Sequence, residues 1–253
     1  MEVLLALKNE TSLDKVESLY RPLIDGAVGA VAECLGSDLL EIRLLGSIPR
    51  GCAIPGLSDL DLLAVTGREI SQEAVAALRE RLRPLPGPAP LVSRIDLQCM
   101  SLDTIRGYPE YELILRTDSV SLFGEDHYPP GEVAIWNTEL ARLWTPDARA
   151  ILRDYRSALA NADIPADEVN RYSRLTGKDM MKCFQIHVLL RYGLIERSVE
   201  NVYRNLRTYL PQHGELFDRL WSLYRFPTSC REDVLAVLEA CQSAMDDILP
   251  QEG

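Results

Sequence analysis

The chain has 253 residues, 47% hydrophobic and 26% charged, with a formal net charge of −11; that length admits two modest domains, each with its own core. The acidic balance excludes a global basic footprint for a long nucleic acid, whose binding rests on phosphate neutralisation, and suits a cationic small molecule instead. No apolar run approaches the ~20 residues that span a bilayer, and Met1 to Glu10 has neither the basic flank nor the small-residue cleavage site of a secretory signal, so a cytoplasmic protein without a membrane partner is expected.

Thr11 or Ser12 is placed to cap a helix running to about Cys34, with Val16, Leu19, Leu23, Val31 and Leu35 as its apolar stripe and Pro22 bending it near its first turns. Ile42 and Leu44 alternate along Glu41 to Leu45 and predict a strand that ends at Gly46. A second strand follows in Leu57-Ser58-Asp59-Leu60-Asp61-Leu62-Leu63. There the side-chain period of two projects Asp59 and Asp61 from one face, while Leu60 and Leu62 pack on the other.

A helix is expected from Ser71 to Leu82. After the turn-forming Pro84-Leu85-Pro86-Gly87-Pro88, Leu91 to Met100 reads as a strand, with Ser93, Ile95, Leu97 and Cys99 on one side and Val92, Arg94, Asp96 and Gln98 on the other. Tyr108 to Arg116 reads as helix, and Val120 to Phe123 as a short strand closing on Gly124-Glu125-Asp126.

Tyr128-Pro129-Pro130-Gly131 discourages helix and sheet alike and is the expected linker. Beyond it helix-length segments dominate, roughly Asn137 to Leu143, Pro146 to Ala160, Ala166 to Leu190, Val199 to Leu210, Gly214 to Leu223 and Ser229 to Leu249. The expected fold class is α+β, a small mixed-sheet domain over residues 1–128 followed by an all-α bundle over residues 132–253. Six cysteines without a Cys-x-x-Cys pair read as reduced thiols, and three histidines show no metal-ligand spacing.

The chemistry concentrates between Leu44 and Leu63. Two carboxylates on one strand face repel unless a cation neutralises them, and Mg²⁺ takes one or two protein carboxylates together with substrate phosphate oxygens. Gly46, lacking Cβ, lets a phosphate approach the backbone; Ser47 adds a hydroxyl donor, Arg50 a charged phosphate contact and Gly51 another permissive position. On the long helix, Arg171, Arg174, Lys178, Lys182 and Gln185 share one stripe while Met180, Met181, Phe184 and Val188 supply apolar contacts elsewhere. Such a stripe is ordinarily a solvated helix face.

Taken in order, Gly46-Ser47, Arg50-Gly51 and Ser58-Asp59-Leu60-Asp61-Leu62 resemble the nucleotidyltransferase superfamily that includes DNA polymerase beta and the aminoglycoside nucleotidyltransferases. The spacer Cys52 to Leu57 is slightly longer than the family's, and Leu122-Phe123-Gly124-Glu125-Asp126 resembles the end of its last strand. The resemblance implies a third acidic residue on the later strand, carried over to Asp96. It further implies that Asp59, Asp61 and Asp96 hold two Mg²⁺ ions and are catalytic, that Gly46, Ser47 and Arg50 bind the nucleotide, and that Lys178 and Lys182 hold its triphosphate. The implied reaction moves a nucleoside monophosphate, AMP from ATP, onto a hydroxyl of a small, possibly cationic acceptor such as an aminoglycoside-like antibiotic. Two other readings stay open: a nucleotidyltransferase-like antitoxin or interaction module, and adenylylation of protein or tRNA.

Overall fold

The computed structural model describes residues 5–87, 91–129, 134–136 and 147–249. These divide into two compact units that part between Ile135 and Trp136, with Leu5 counted in the second. The first strand, β1 (Leu5–Leu7), opens the chain.

The first helix departs from expectation. Ser12 caps only a 3₁₀ turn, Leu13–Lys15, its hydroxyl accepting from the Asp14 amide at 3.1 Å, and a second 3₁₀ turn spans Ser18–Tyr20. Helix α1 (Arg21–Leu35) begins only then, with Pro22 in its first turn. The missing proline amide costs nothing there and the fixed φ suits the helix, so Pro22 starts the helix and does not bend it.

A four-stranded mixed sheet organises the first unit. Strands β2 (Leu39–Leu45), β3 (Leu60–Thr66), β4 (Ile95–Ser101) and β5 (Ser119–Gly124) lie in the order β4-β3-β2-β5, with β3 and β4 parallel and the other pairs antiparallel. Between them come the short helix α2 (Ser47–Arg50), α3 (Gln72–Leu82), α4 (Leu102–Gly107) and α5 (Pro109–Asp118). Serines open two of these: Ser71 accepts from the Ala74 amide at 3.2 Å and Ser101 from the Thr104 amide at 3.1 Å. A separate ribbon pairs β1 with β6 (Ala134–Trp136).

Strand alternation divides the side chains between two cores. Ile42, Leu44, Leu60, Leu62 and Leu97 pack with Ile24, Ala27 and Val31 of α1 and Leu78 and Leu82 of α3. Leu63 and Val65 pack on the opposite face with Ile105 of α4, Leu115 of α5 and Tyr128. Complete burial of each Leu or Ile contributes about 1.5–3 kcal/mol. Sequence period therefore fixes which way Asp61 points: it lies on the Leu63 face, away from the larger core.

Over residues 147–249 the second unit is built on helices: α6 (Ala148–Leu159), α7 (Ala166–Tyr192), α8 (Val199–Tyr209), α9 (Gly214–Arg225) and α10 (Arg231–Ile248). Met180, Met181, Phe184 and Val188 of α7 are fully buried in its core with Phe217 and Leu220 of α9. At Gly177 a Cβ would lie 2.4 Å from the Leu220 carbonyl oxygen, so the absent side chain is what lets α7 and α9 approach. The helix expected over Asn137 to Leu143, with Pro130 and Gly131 of the expected linker, lies outside the described residues. The described residues contain no helix long and apolar enough to cross a membrane.

Candidate active site

Strand β2 ends at Leu45, which faces Asp61 across the antiparallel ladder, and the chain then turns through Gly46 into α2. Gly46 has φ 80° and ψ −149°, backbone that only glycine occupies readily. A Cβ there would sit 2.1 Å from Asp61 Oδ2. Gly46→Ala should therefore cost about 1–3 kcal/mol and push the Asp61 carboxylate out of place. A thermal melt and a transfer assay check both effects, and a variant with unchanged stability would refute the strain.

Helix α2 is a single turn closed by Gly51 in the left-handed region, φ 71°, with the Gly51 amide donating to the Ile48 carbonyl and the Cys52 amide to the Ser47 carbonyl, each at 3.0 Å. Ile48 and Pro49 are buried and Ser47 is half-buried. The turn is thus anchored from beneath while Gly46 lies against Asp61.

The parallel ladder between β3 and β4 places Asp61 opposite Asp96, in register, so both side chains leave the same face of the sheet. Asp59 precedes β3 by one residue. It is 8% exposed, and its Oδ1 accepts a hydrogen bond from the Ser93 hydroxyl. The Asp59, Asp61 and Asp96 positions expected from sequence thus share one end of β3 and β4.

Arg94 is legible in the sequence as a partner of Asp96, but its contact with Asp59 and that of Ser93 are not. Alternation from Leu91 puts Ser93 on the side away from Asp96, but regular strand begins only at Ile95. In the preceding stretch the Ser93 amide donates to the Ser58 carbonyl at 2.9 Å and the Arg94 carbonyl accepts from the Leu60 amide at 2.9 Å. That irregular run brings both Ser93 and Arg94 to Asp59. The Arg94 Nε lies 3.7 Å from Asp59 Oδ2 and its Nη2 3.3 Å from Asp96 Oδ2, so one guanidinium spans two carboxylates.

Arg50 is placed differently from a freely presented phosphate contact. Its Nη1 donates to Asp118 Oδ1 at 2.6 Å, tying α2 to the end of α5. Burial opposes the charge, but the Asp118 carboxylate more than compensates and holds the guanidinium pKa above its ordinary value. Lys178 and Lys182 are half-buried on α7, in the helical unit, whereas the carboxylates belong to the sheet unit. Other members of the expected stripe are engaged: Arg171 pairs with Glu168 at 2.9 Å, and Gln185, 7% exposed, accepts from the Glu196 amide at 2.7 Å. Asp179, beside Lys178, accepts from the Tyr155 hydroxyl at 2.6 Å; burial and then this carboxylate push the Tyr155 pKa up.

Among the described residues no three His, Cys, Asp or Glu side chains converge as a metal-ligand set. The donor chemistry still fits a hard divalent cation. Asp59 and Asp61 provide the one or two carboxylates that Mg²⁺ takes when phosphate oxygens complete its shell, and Gly46 leaves open the space beside Asp61 Oδ2 that a Cβ would fill.

No protein-family model matches the chain, and no curated protein matches it in sequence. Its fold is similar to that of the spectinomycin adenyltransferase AAD(9) from Enterococcus faecialis, solved with ATP and spectinomycin. The TM-score is 0.55 at 12% sequence identity, over 89% of this chain and 99% of that one. At that identity the likeness is one of fold: α+β, with a mixed sheet followed by helices.

Proposed function

We propose that the chain is a member of the nucleotidyltransferase superfamily that moves a nucleoside monophosphate, AMP from ATP, onto a hydroxyl of a small molecule. A catalytic domain over residues 1–128 and a helical acceptor-choosing domain over residues 132–253 complete the proposal, with the cytoplasm as its place of work. The observation that carries it is the in-register pair Asp61 and Asp96 with Asp59 beside them, facing a glycine turn that abuts Asp61.

In this reading the acceptor oxygen attacks the α-phosphorus and pyrophosphate leaves. Asp96, half-buried on β4, accepts the proton of the acceptor hydroxyl. Gly46 and Ser47 receive the phosphates, the backbone approaching closely where no Cβ intervenes. Asp59, Asp61 and Asp96 would hold Mg²⁺, which supplies neutralisation of charge on the attacking and leaving oxygens. Arg50, Lys178 and Lys182 are proposed as triphosphate contacts.

The acceptor is proposed from charge: a net charge of −11 attracts cationic, hydroxylated molecules and repels nucleic acid. The fold neighbour was solved with spectinomycin, which makes that the first acceptor to try. The test incubates the protein with each labelled nucleoside triphosphate, Mg²⁺ and pools of aminoglycosides, other hydroxylated antibiotics, tRNA and protein extract, and follows the label by mass. Label on a small molecule is the expected result. Label confined to tRNA or protein would overturn the acceptor; nucleotide bound without transfer to anything would overturn the enzyme and leave a binding module.

A further inference from the structure

The geometry points to Arg94 as an internal counter-ion of the carboxylate cluster, one that must leave Asp59 when a divalent cation binds and that thereby couples cation binding to nucleotide binding. This rests on the metal-dependent reading above and adds to it a residue that sets the cation affinity.

Three carboxylates gathered at one end of one sheet face repel one another. Arg94 relieves this by reaching Asp59 Oδ2 at 3.7 Å and Asp96 Oδ2 at 3.3 Å. Ser93 holds the other oxygen of Asp59. Both oxygens of Asp59 are thus engaged by protein donors.

The Arg94 backbone is fixed, its carbonyl accepting from the Leu60 amide at 2.9 Å. Its side chain is 53% exposed, while that of Asp59 is 6% exposed. The arm can swing into solvent from a fixed root; the carboxylate cannot follow. A cation arriving alone must displace a guanidinium of like charge from Asp59 and compete with it for Asp96. A cation arriving with a triphosphate brings that guanidinium a new anionic partner, so metal and nucleotide each favour the other's binding.

The test is Mn²⁺ titration of the full chain by electron paramagnetic resonance, with and without an ATP analogue carrying a methylene bridge between its α and β phosphorus atoms. Arg94→Met should bind Mn²⁺ alone about tenfold more tightly than the native protein, the change expected for removing one positive charge near one buried and one half-exposed carboxylate. The further tightening produced by the analogue should be smaller in Arg94→Met than in the native chain. Arg94→Lys, which keeps the charge, should stay near native affinity and serves as a second variant. Equal Mn²⁺ affinity in the native protein and Arg94→Met, with native transfer intact, overturns the counter-ion role and leaves the proposed reaction standing. Failure of every form to bind Mn²⁺, even with the analogue, overturns both.

Discussion

Asp61→Asn should lower nucleotidyl transfer by on the order of 10³-fold, the scale on which removing one charge-stabilising group slows a reaction, while the protein stays folded. Asparagine keeps the shape of the side chain and therefore the space against Gly46, where a Cβ would come within 2.1 Å of Asp61 Oδ2. What it loses is charge. A neutral amide is a poor ligand for a hard cation, and the phosphate charge developing beside it goes unneutralised. Stability should hold or rise slightly, because Asp61 is in register with Asp96 and removing one of two like charges relieves repulsion. Measured at equal folded concentration, turnover like that of the native protein would refute the assignment. Asp59→Asn should also lose turnover, but with some loss of stability, since Asp59 is tied to Ser93 and faces Arg94.

The site was legible in proportion to how local its signals are. Gly46, Asp59 and Asp61 lie within sixteen residues of sequence, and the strand period alone sets the direction of the aspartates once Leu60 and Leu62 enter the core. Asp96 lies on a later strand, β4, and is singled out through the family resemblance; the local pattern shows only that a strand follows the proline-rich turn. Ser93 was misplaced because the alternation was extended into a stretch whose hydrogen bonds run irregularly to Ser58 and Leu60. Arg50 and Asp118 are 68 residues apart, and no periodicity links a one-turn helix to the end of α5. Pro22 shows the cost of reading a stripe without its boundary: the apolar positions of α1 are right, but the proline marks where the helix begins.

The largest stability effect is expected at Arg43, which no local pattern announces. Ile42 and Leu44 face the larger core, and ordinary alternation leaves Glu41 and Arg43 for the opposite side of β2. Helices α4 and α5 cover that side, so both charges are completely buried. Arg43 is satisfied at each nitrogen. Its Nε donates to Ser119 Oγ at 2.7 Å, its Nη1 to Glu41 and to Asp126 Oδ1 at 2.6 Å, and its Nη2 to the carbonyls of Leu115 at 3.3 Å and Tyr128 at 3.0 Å. One side chain thus joins β2 to α5, β5 and the segment after it. Arg43→Met keeps much of the volume but takes from buried Glu41 its guanidinium partner, leaving it the His127 amide at 3.3 Å and the His127 Nδ1 at 3.4 Å. Breaking such a pair on one side costs about 3–5 kcal/mol, which lowers the melting temperature of a chain this size by on the order of 10 °C. The double variant Glu41→Gln with Arg43→Met removes both charges and should recover part of that loss, a non-additivity that a simple packing defect would not produce. Thermal unfolding of the native, single and double variants decides it: a single variant less stable by under about 1 kcal/mol would place Arg43 among ordinary surface pairs, and a double variant worse than the single would mean that the buried charges were never coupled.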